Sequence, residues 1–436
     1  MNAKYEAYKD SEHRWLGVIP EHWKVVNSRR IFRERKIRAI PSEEQLTASQ
    51  KYGVIPQSEF MELEGRKVTQ VLKGHEILKH VDAGDFVISM RSFQGGLELS
   101  EHSGSISSAY VPIFPLKWVD AGYFKLLFKT VPFIQALQTT SDLVRDGQAL
   151  RFENLTQISL PVPPLEEQEV IASQVSEETA RIDALIEKKT RFIELLKEKR
   201  QALITQAVTK GLDPNVPMRD SGVEWIGEVP EGWDVTKVRY LASKIGSGKT
   251  PSGGATTYVS EGVIFLRSQN IYDDGLRIDD VSFITSEVDA GMAVSRVRTS
   301  DVLLNITGGS IGRSSIVPAD FPRANVNQHV CIVRPQKSEL SPWVHLCFCS
   351  AVTKTQVDVL QTGSGREGLN FDQVGNFVLA VPPMKEIPRI MAQVEKELKK
   401  IDSAIALVTK STALLRERRS ALITAAVTGQ IDLRTA

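Results

Sequence analysis

Apolar residues recur along two long charged stretches in steps that alternate near four and three, with some sevens. In the first stretch they fall at Ile171, Val175, Ile182, Ile186, Ile193, Leu196, Leu203 and Ala207. In the second they fall at Ile390, Val394, Ile401, Ile405, Leu415, Leu422 and Ala426, with Thr412 at one seam position. Such spacing predicts a helix with a heptad-like seam, and Glu, Lys and Arg fill its other faces. The two stretches, Val162–Asp213 and Val381–Asp432, are copies at a constant offset without a gap. Pro163-Pro164 and Pro382-Pro383 act as start signals, because proline is tolerated in a first helical turn and not inside; Pro388 falls in the first turns of the second copy. A helix of ~45 residues is ~65 Å long at 1.5 Å per residue. It cannot bury its stripe alone, so the matched seams predict that the two helices pair.

The repeat continues outside the helices. Residues 10–23, DSEHRWLGVIPEHW, return as residues 220–233, DSGVEWIGEVPEGW. The recurring tryptophans, glycine and proline read as a structural clasp. Between clasp and helix lie two globular regions of one plan. In the first, Asp85–Arg91 and Gly104–Phe114 read as strands, 92–96 as a glycine loop, and Ala121–Gln138 as a helical stretch interrupted by Pro132. In the second, the strands are Gly262–Leu266, Asp301–Thr307 and Asn325–Val333, with a glycine loop at 308–313. Frame residues recur between the regions while polar loop residues differ, as expected of one scaffold carrying two reading surfaces.

Composition narrows the class. With 436 residues, 42% hydrophobic and 25% charged, the chain suits a soluble protein of two or three domains. A net charge of +1 gives no global basic field, leaving local patches or basic partners to hold any nucleic acid. Cys331, Cys347 and Cys349 form neither a disulfide framework nor a metal motif, and read as buried thiols in a reducing compartment. No leader or membrane span is expected, which points to the cytoplasm.

Enzyme motifs fail. Gly246–Thr250 resembles a phosphate loop, but Ser243 stands where its first glycine belongs, and Pro251 follows where a helix should start. No GxGxxG follows a strand, and the seven histidines are scattered, so no catalytic pair or cofactor site is expected. What remains is chemistry for reading base edges, which takes Arg, Asn, Gln and Ser. In the second region the candidates are Arg267, Ser268, Gln269 and Asn270 at a strand end, Asn327, Gln328 and His329, with Lys249 and Arg313 for phosphates and Thr250 and Arg366 as further DNA contacts. In the first they are Arg91, Ser92, Gln94, Ser107, Tyr110 and Arg145.

The chain resembles the specificity (S) subunits of type I restriction–modification systems. The resemblance rests on residues 266–271 (LRSQNI), 305–317 (NITGGSIGRSSIV), 325–335 (NVNQHVCIVRP), 162–168 (VPPLEEQ) and the paired ALIT helix ends; the second copy departs from PPLxEQ, reading PPMKEIP at 382–388. It implies an α+β chain of two tandem α/β target recognition domains separated by two long antiparallel coiled-coil helices, related by a pseudo-two-fold repeat. The division would be 1–162 and 213–381 for the recognition domains, with 163–212 and 382–430 for the spacer helices. Each domain would bind half of a bipartite asymmetric DNA target, and the helix pair would set the spacer and dock two methylation subunits. S-adenosylmethionine, ATP and Mg would serve those and the restriction subunits, with no cofactor here. The competing reading from the residues is a non-DNA scaffold, two adhesive domains on a coiled-coil hairpin.

Overall fold

A computed structural model describes residues 4–65, 67–68, 77–89, 92–116, 118–140, 150–251, 254–362 and 368–434. The chain divides into two compact units, one running to Thr190 and resuming at Lys410, the other spanning Arg191–Thr409. The long helices are Leu165–Thr209 and Ile387–Val427, and each contributes to both units. The first starts directly after Pro163-Pro164. The second starts late, at Ile387, with Pro388, which has no N–H to donate, in its first turn.

Within each unit the start of one helix lies beside the end of the other, so they run antiparallel. In the first unit Arg419 pairs with Asp183 at 2.8 Å; in the second, Arg200 pairs with Asp402 at 3.0 Å. These are the same two positions of the repeat with their roles exchanged. Ile171, Val175, Ile182 and Ala207 are buried, as are Ile390, Val394, Ile401, Thr412 and Ala426. The seam positions between them, from Ile186 to Leu203 and at Ile405, Leu415 and Leu422, are half-buried.

The domain of the first unit is built on a four-stranded antiparallel sheet, in the order Phe32–Glu34, Val111–Pro115, Phe86–Ile88, Glu98–Leu99. The second unit repeats that order with Ala242–Ser247, Val330–Pro335, Val302–Asn305 and Ser314–Ile316. Phe32, Phe86, Phe124 and Phe128 pack edge-on or tilted over the first sheet, each fully buried. Each central strand begins after a buried aspartate. Asp85 accepts Asp82 N–H at 3.1 Å and is gripped by Arg35; Asp301 accepts Arg298 N–H at 2.7 Å and both Nε and Nη2 of Arg334 at 2.7 Å.

Two expected strands are in fact pairs. Gly104–Phe114 divides into Gly104–Ile106 and Val111–Pro115, because Ser107 O accepts Tyr110 N–H at 3.0 Å in a turn. Asn325–Val333 divides into Ala324–Val326 and Val330–Pro335, because the Asn327 side chain accepts His329 N–H at 3.1 Å. In each case the chain leaves one sheet for another. Ala121–Gln138 likewise forms two helices, Ala121–Leu127 and Val131–Gln138, with Pro132 in the first turn of the second. The expected glycine loops contain a short helix at Ser92–Gly95 and a 3₁₀ turn at Gly308–Ser310.

The clasps form hairpins, Tyr8–Asp10 on Val18–Pro20 and Met218–Asp220 on Glu228–Pro230. Their tryptophans seal helix ends. A Cβ at Gly429 would lie 3.2 Å from Trp23, and one at Gly211 3.3 Å from Trp233. Glu167 explains the VPPLEEQ segment. Buried, it accepts Tyr5 Oη–H at 2.7 Å, Trp23 Nε1–H at 2.9 Å and lies 2.8 Å from His22 Nε2. Gln168 beside it donates to Pro163 O at 2.9 Å and accepts Asp120 N–H at 2.9 Å.

Candidate nucleic-acid interface

Strand pairing in the second unit gathers the polar loops. Leu266 lies opposite Val326 in a parallel pair, Asn305 opposite Val330, and Ser247 opposite Cys331. The segments 248–250, 267–270, 306–313 and 327–329 therefore leave one edge together. They are laced: Gly248 N–H donates to Asn327 O at 3.1 Å, Asn327 N–H to Leu266 O at 3.0 Å, and Ile306 N–H to His329 O at 3.0 Å. Asn305, buried, donates to Ser268 O at 2.9 Å and to Ser310 Oγ at 3.0 Å. Gln328 Nε2 lies 3.0 Å from His329 Nε2, and Thr307 Oγ1 lies 2.6 Å from His329 Nδ1. An amide can only donate there, so His329 accepts at Nε2 and donates from Nδ1 to Thr307. Thr250 donates to Gln328.

On this frame the side chains divide by what they are free to do. Lys249, Gln269, Gln328 and Arg313 are exposed. Arg267 is half-buried with its guanidinium 5.7 Å over the Tyr258 ring, and its buried Nε has no hydrogen-bond partner. Arg313 and Arg277 lie over the Tyr272 ring at 4.9 and 5.0 Å, so one aromatic holds two cations side by side. Asn270 is spent on the loop itself, accepting Arg267 N–H at 2.9 Å and donating to Arg277 O at 2.9 Å. Asn327 likewise shapes a turn, and Ser268 takes part through its carbonyl, which accepts from Asn305. Arg366 lies outside the described residues.

In the first unit Ile88 lies opposite Val111, so Ser89 and the turn 107–110 share an edge. Gln94 and Ser107 are exposed, and Tyr110 is half-buried. Ser92 is buried and its hydroxyl accepts Ser89 N–H at 2.9 Å, a turn-forming role. Arg91 and Arg145 lie outside the described residues. Two kinds of residue escaped sequence reasoning. Tyr258 and Tyr272 carry no motif and matter only through the arginines stacked on them. Gln50, just past strand Leu46–Ser49, lies over Gly95, where a Cβ would meet its Nε2 at 2.3 Å. Register across strands, not spacing along the chain, brings it there.

The three cysteines are buried and unpaired. Burial pushes the Cys331 thiol up to about 12 and the Cys347 and Cys349 thiols up as well, so none is a ready nucleophile. No helix among the described residues is long and apolar enough to cross a membrane.

Residues 20–195 match the family model described as the type I restriction modification DNA specificity domain. Over that stretch, which is less than half of its length, the chain is similar to the type I specificity domain. It is 25% identical over 280 residues to the type I restriction enzyme EcoBI specificity subunit of Escherichia coli, covering 62% of this chain and 58% of that one. It is 26% identical over 289 residues to the MjaVIII specificity subunit of Methanocaldococcus jannaschii, covering 65% and 64%. The matches thus span about six-tenths of the curated relatives' length. In fold, it is similar to a chain from a type I R-M system solved for its complex assembly and conformational transition, with TM-score 0.66, 14% identity, and coverage of 94% of this chain and 98% of that one. The HsdS subunit from Thermoanaerobacter tengcongensis gives TM-score 0.51 at 16% identity, with coverage of 95% and 98%. The fold of a specificity subunit, two α/β domains with a pair of long helices, is therefore that of this chain.

Proposed function

We propose that this chain is the DNA sequence-recognition subunit of a type I restriction–modification complex. Each α/β domain reads one half of a bipartite, asymmetric duplex target, with domain limits near 1–162 and 213–381. The helix pair, 163–212 and 382–430, acts as spacer and as the docking site for two methylation subunits. Adenine methylation with S-adenosylmethionine, and ATP- and Mg-dependent cleavage, belong to the methylation and restriction subunits. One observation carries the reading most. In the second unit, four loops converge on one edge and present exposed amides and cations on a hydrogen-bonded frame, the arrangement needed to read base edges and hold phosphates. The modest net charge fits a subunit whose partners supply much of the phosphate contact.

Exchange of residues 230–380 for another recognition domain tests this. Methylome sequencing of a host carrying the hybrid should show one half of the target changed and the other retained. Both halves changed, or neither, would overturn it.

A further inference from the structure

The two clasp–helix junctions are filled differently. In the first unit two chain segments meet. Tyr5, buried, stacks edge-on against Trp23 at 5.9 Å and donates to Glu167, while Arg434 lies 4.9 Å over the Tyr5 ring. Asp432 accepts Arg434 N–H at 3.0 Å. In the second unit one continuous segment makes the whole connection. Asn215, the counterpart of Tyr5 in the clasp register, is also the counterpart of Arg434 in the helix register, and its N–H donates to Asp213 at 3.0 Å as Arg434 does to Asp432. One side chain stands where the other unit has two.

The missing volume is visible. A cavity of about 560 Å³ is lined by Trp233, Glu386, Gly232 and Asp213, the counterparts of Trp23, Glu167, His22 and Asp432 that surround Tyr5. Trp233 is only 4% exposed and its indole N–H has no hydrogen-bond partner among the described residues, whereas that of Trp23 donates to Glu167. Glu386 has no ion-pair partner among the described residues, and neither have Lys385 and Arg389 at the rim.

We propose that this cavity is a socket for a tyrosine side chain on an extended segment of a partner polypeptide. Glu386 accepts the phenol hydroxyl, Trp233 forms the wall, and Lys385 and Arg389 favour an acidic residue beside the tyrosine. The first unit supplies the template, since Tyr5 enters its own junction from an extended segment and is followed by Glu6. The socket is independent of whether the loops read DNA.

The experiment is a ¹H–¹⁵N titration of the full chain with a synthetic peptide of residues 4–10 of this protein, KYEAYKD. The readout is the Trp233 indole peak, assigned by its loss in Trp233→Phe. The peak should move and saturate. Replacing the peptide's first tyrosine by phenylalanine should weaken binding about ten-fold or more, the worth of a hydrogen bond to a charged group, and Glu386→Gln in the protein should weaken it similarly. An unmoved peak, equal binding of the tyrosine and phenylalanine peptides, or the same shift produced by inorganic phosphate would overturn the socket.

Discussion

The two units bury an aspartate at the same point of their frames and neutralise it from different strands. Arg35, which grips Asp85, follows the edge strand Phe32–Glu34; Arg334, which grips Asp301, lies on the neighbouring strand Val330–Pro335. The carboxylates are 2% and 0% exposed, and each also accepts a backbone N–H in the turn before the central strand. The frame thus fixes where the anion sits and leaves the source of the cation open. A repeat can keep its architecture while its side-chain wiring drifts, provided each buried charge stays paired.

Removing the anion strikes that comparison hardest. Asp301→Ala leaves Arg334 without its ion-pair partner and should cost about 3–5 kcal/mol in urea unfolding of the full chain, whereas Asp85→Ala leaves Arg35 its second carboxylate, Asp82 at 2.9 Å, and should cost less. A loss below ~1 kcal/mol in one unit would mean that its arginine finds another acceptor. The next effect is on DNA. Arg267→Ala should cost about 1–3 kcal/mol in binding and relax one half of the target, whereas Lys249→Ala should weaken binding uniformly and lower the salt slope by about one. Equal behaviour of the two variants in a salt-dependent titration would remove the distinction between base and phosphate contacts at this edge.

The smallest effect separates the units by pH. Burial works to lower the pKa of His80, but hydrogen bonds to Asp82 and Glu43 outweigh it and the net shift is upward; burial lowers that of His345. A raised histidine stabilises fully below its unfolded pKa of about 6.5, and that contribution is lost as pH rises through the folded value. A lowered one stabilises above about 6.5, and the contribution is lost as pH falls through the folded value. Mildly acidic conditions should therefore favour the first unit and disfavour the second. His80→Gln should flatten the first dependence and His345→Gln the second, read from thermal midpoints against pH.

The long helices were legible in the sequence because a 3.6-residue period and a constant offset are properties of the chain itself. The clasp was legible for the same reason, through Trp23 and Trp233. The central strands were placed to within a few residues, but not the turns at Ser107 and Asn327 that send the chain to another sheet, since neither turn carries a proline or glycine to mark it. At the candidate interface, the sequence singled out arginines and amides of the second unit as candidates. It did not separate Gln269, which is exposed, from Asn270, which is consumed by its own loop. That division depends on partners many residues away, such as Arg277 O, which no local pattern encodes. Tyr258 and Tyr272 were invisible because their role is defined only by what stacks on them.

Gly248 limits how the second domain can diversify. A Cβ there would lie 1.5 Å from Val326 O, so this position is closed to every other amino acid while the frame stands. Any variant with a new target preference must depart from that same bare peptide and vary only further along. Innovation in this loop is anchored at its root, and a library randomised across residues 246–251 should return glycine at 248 from every surviving clone.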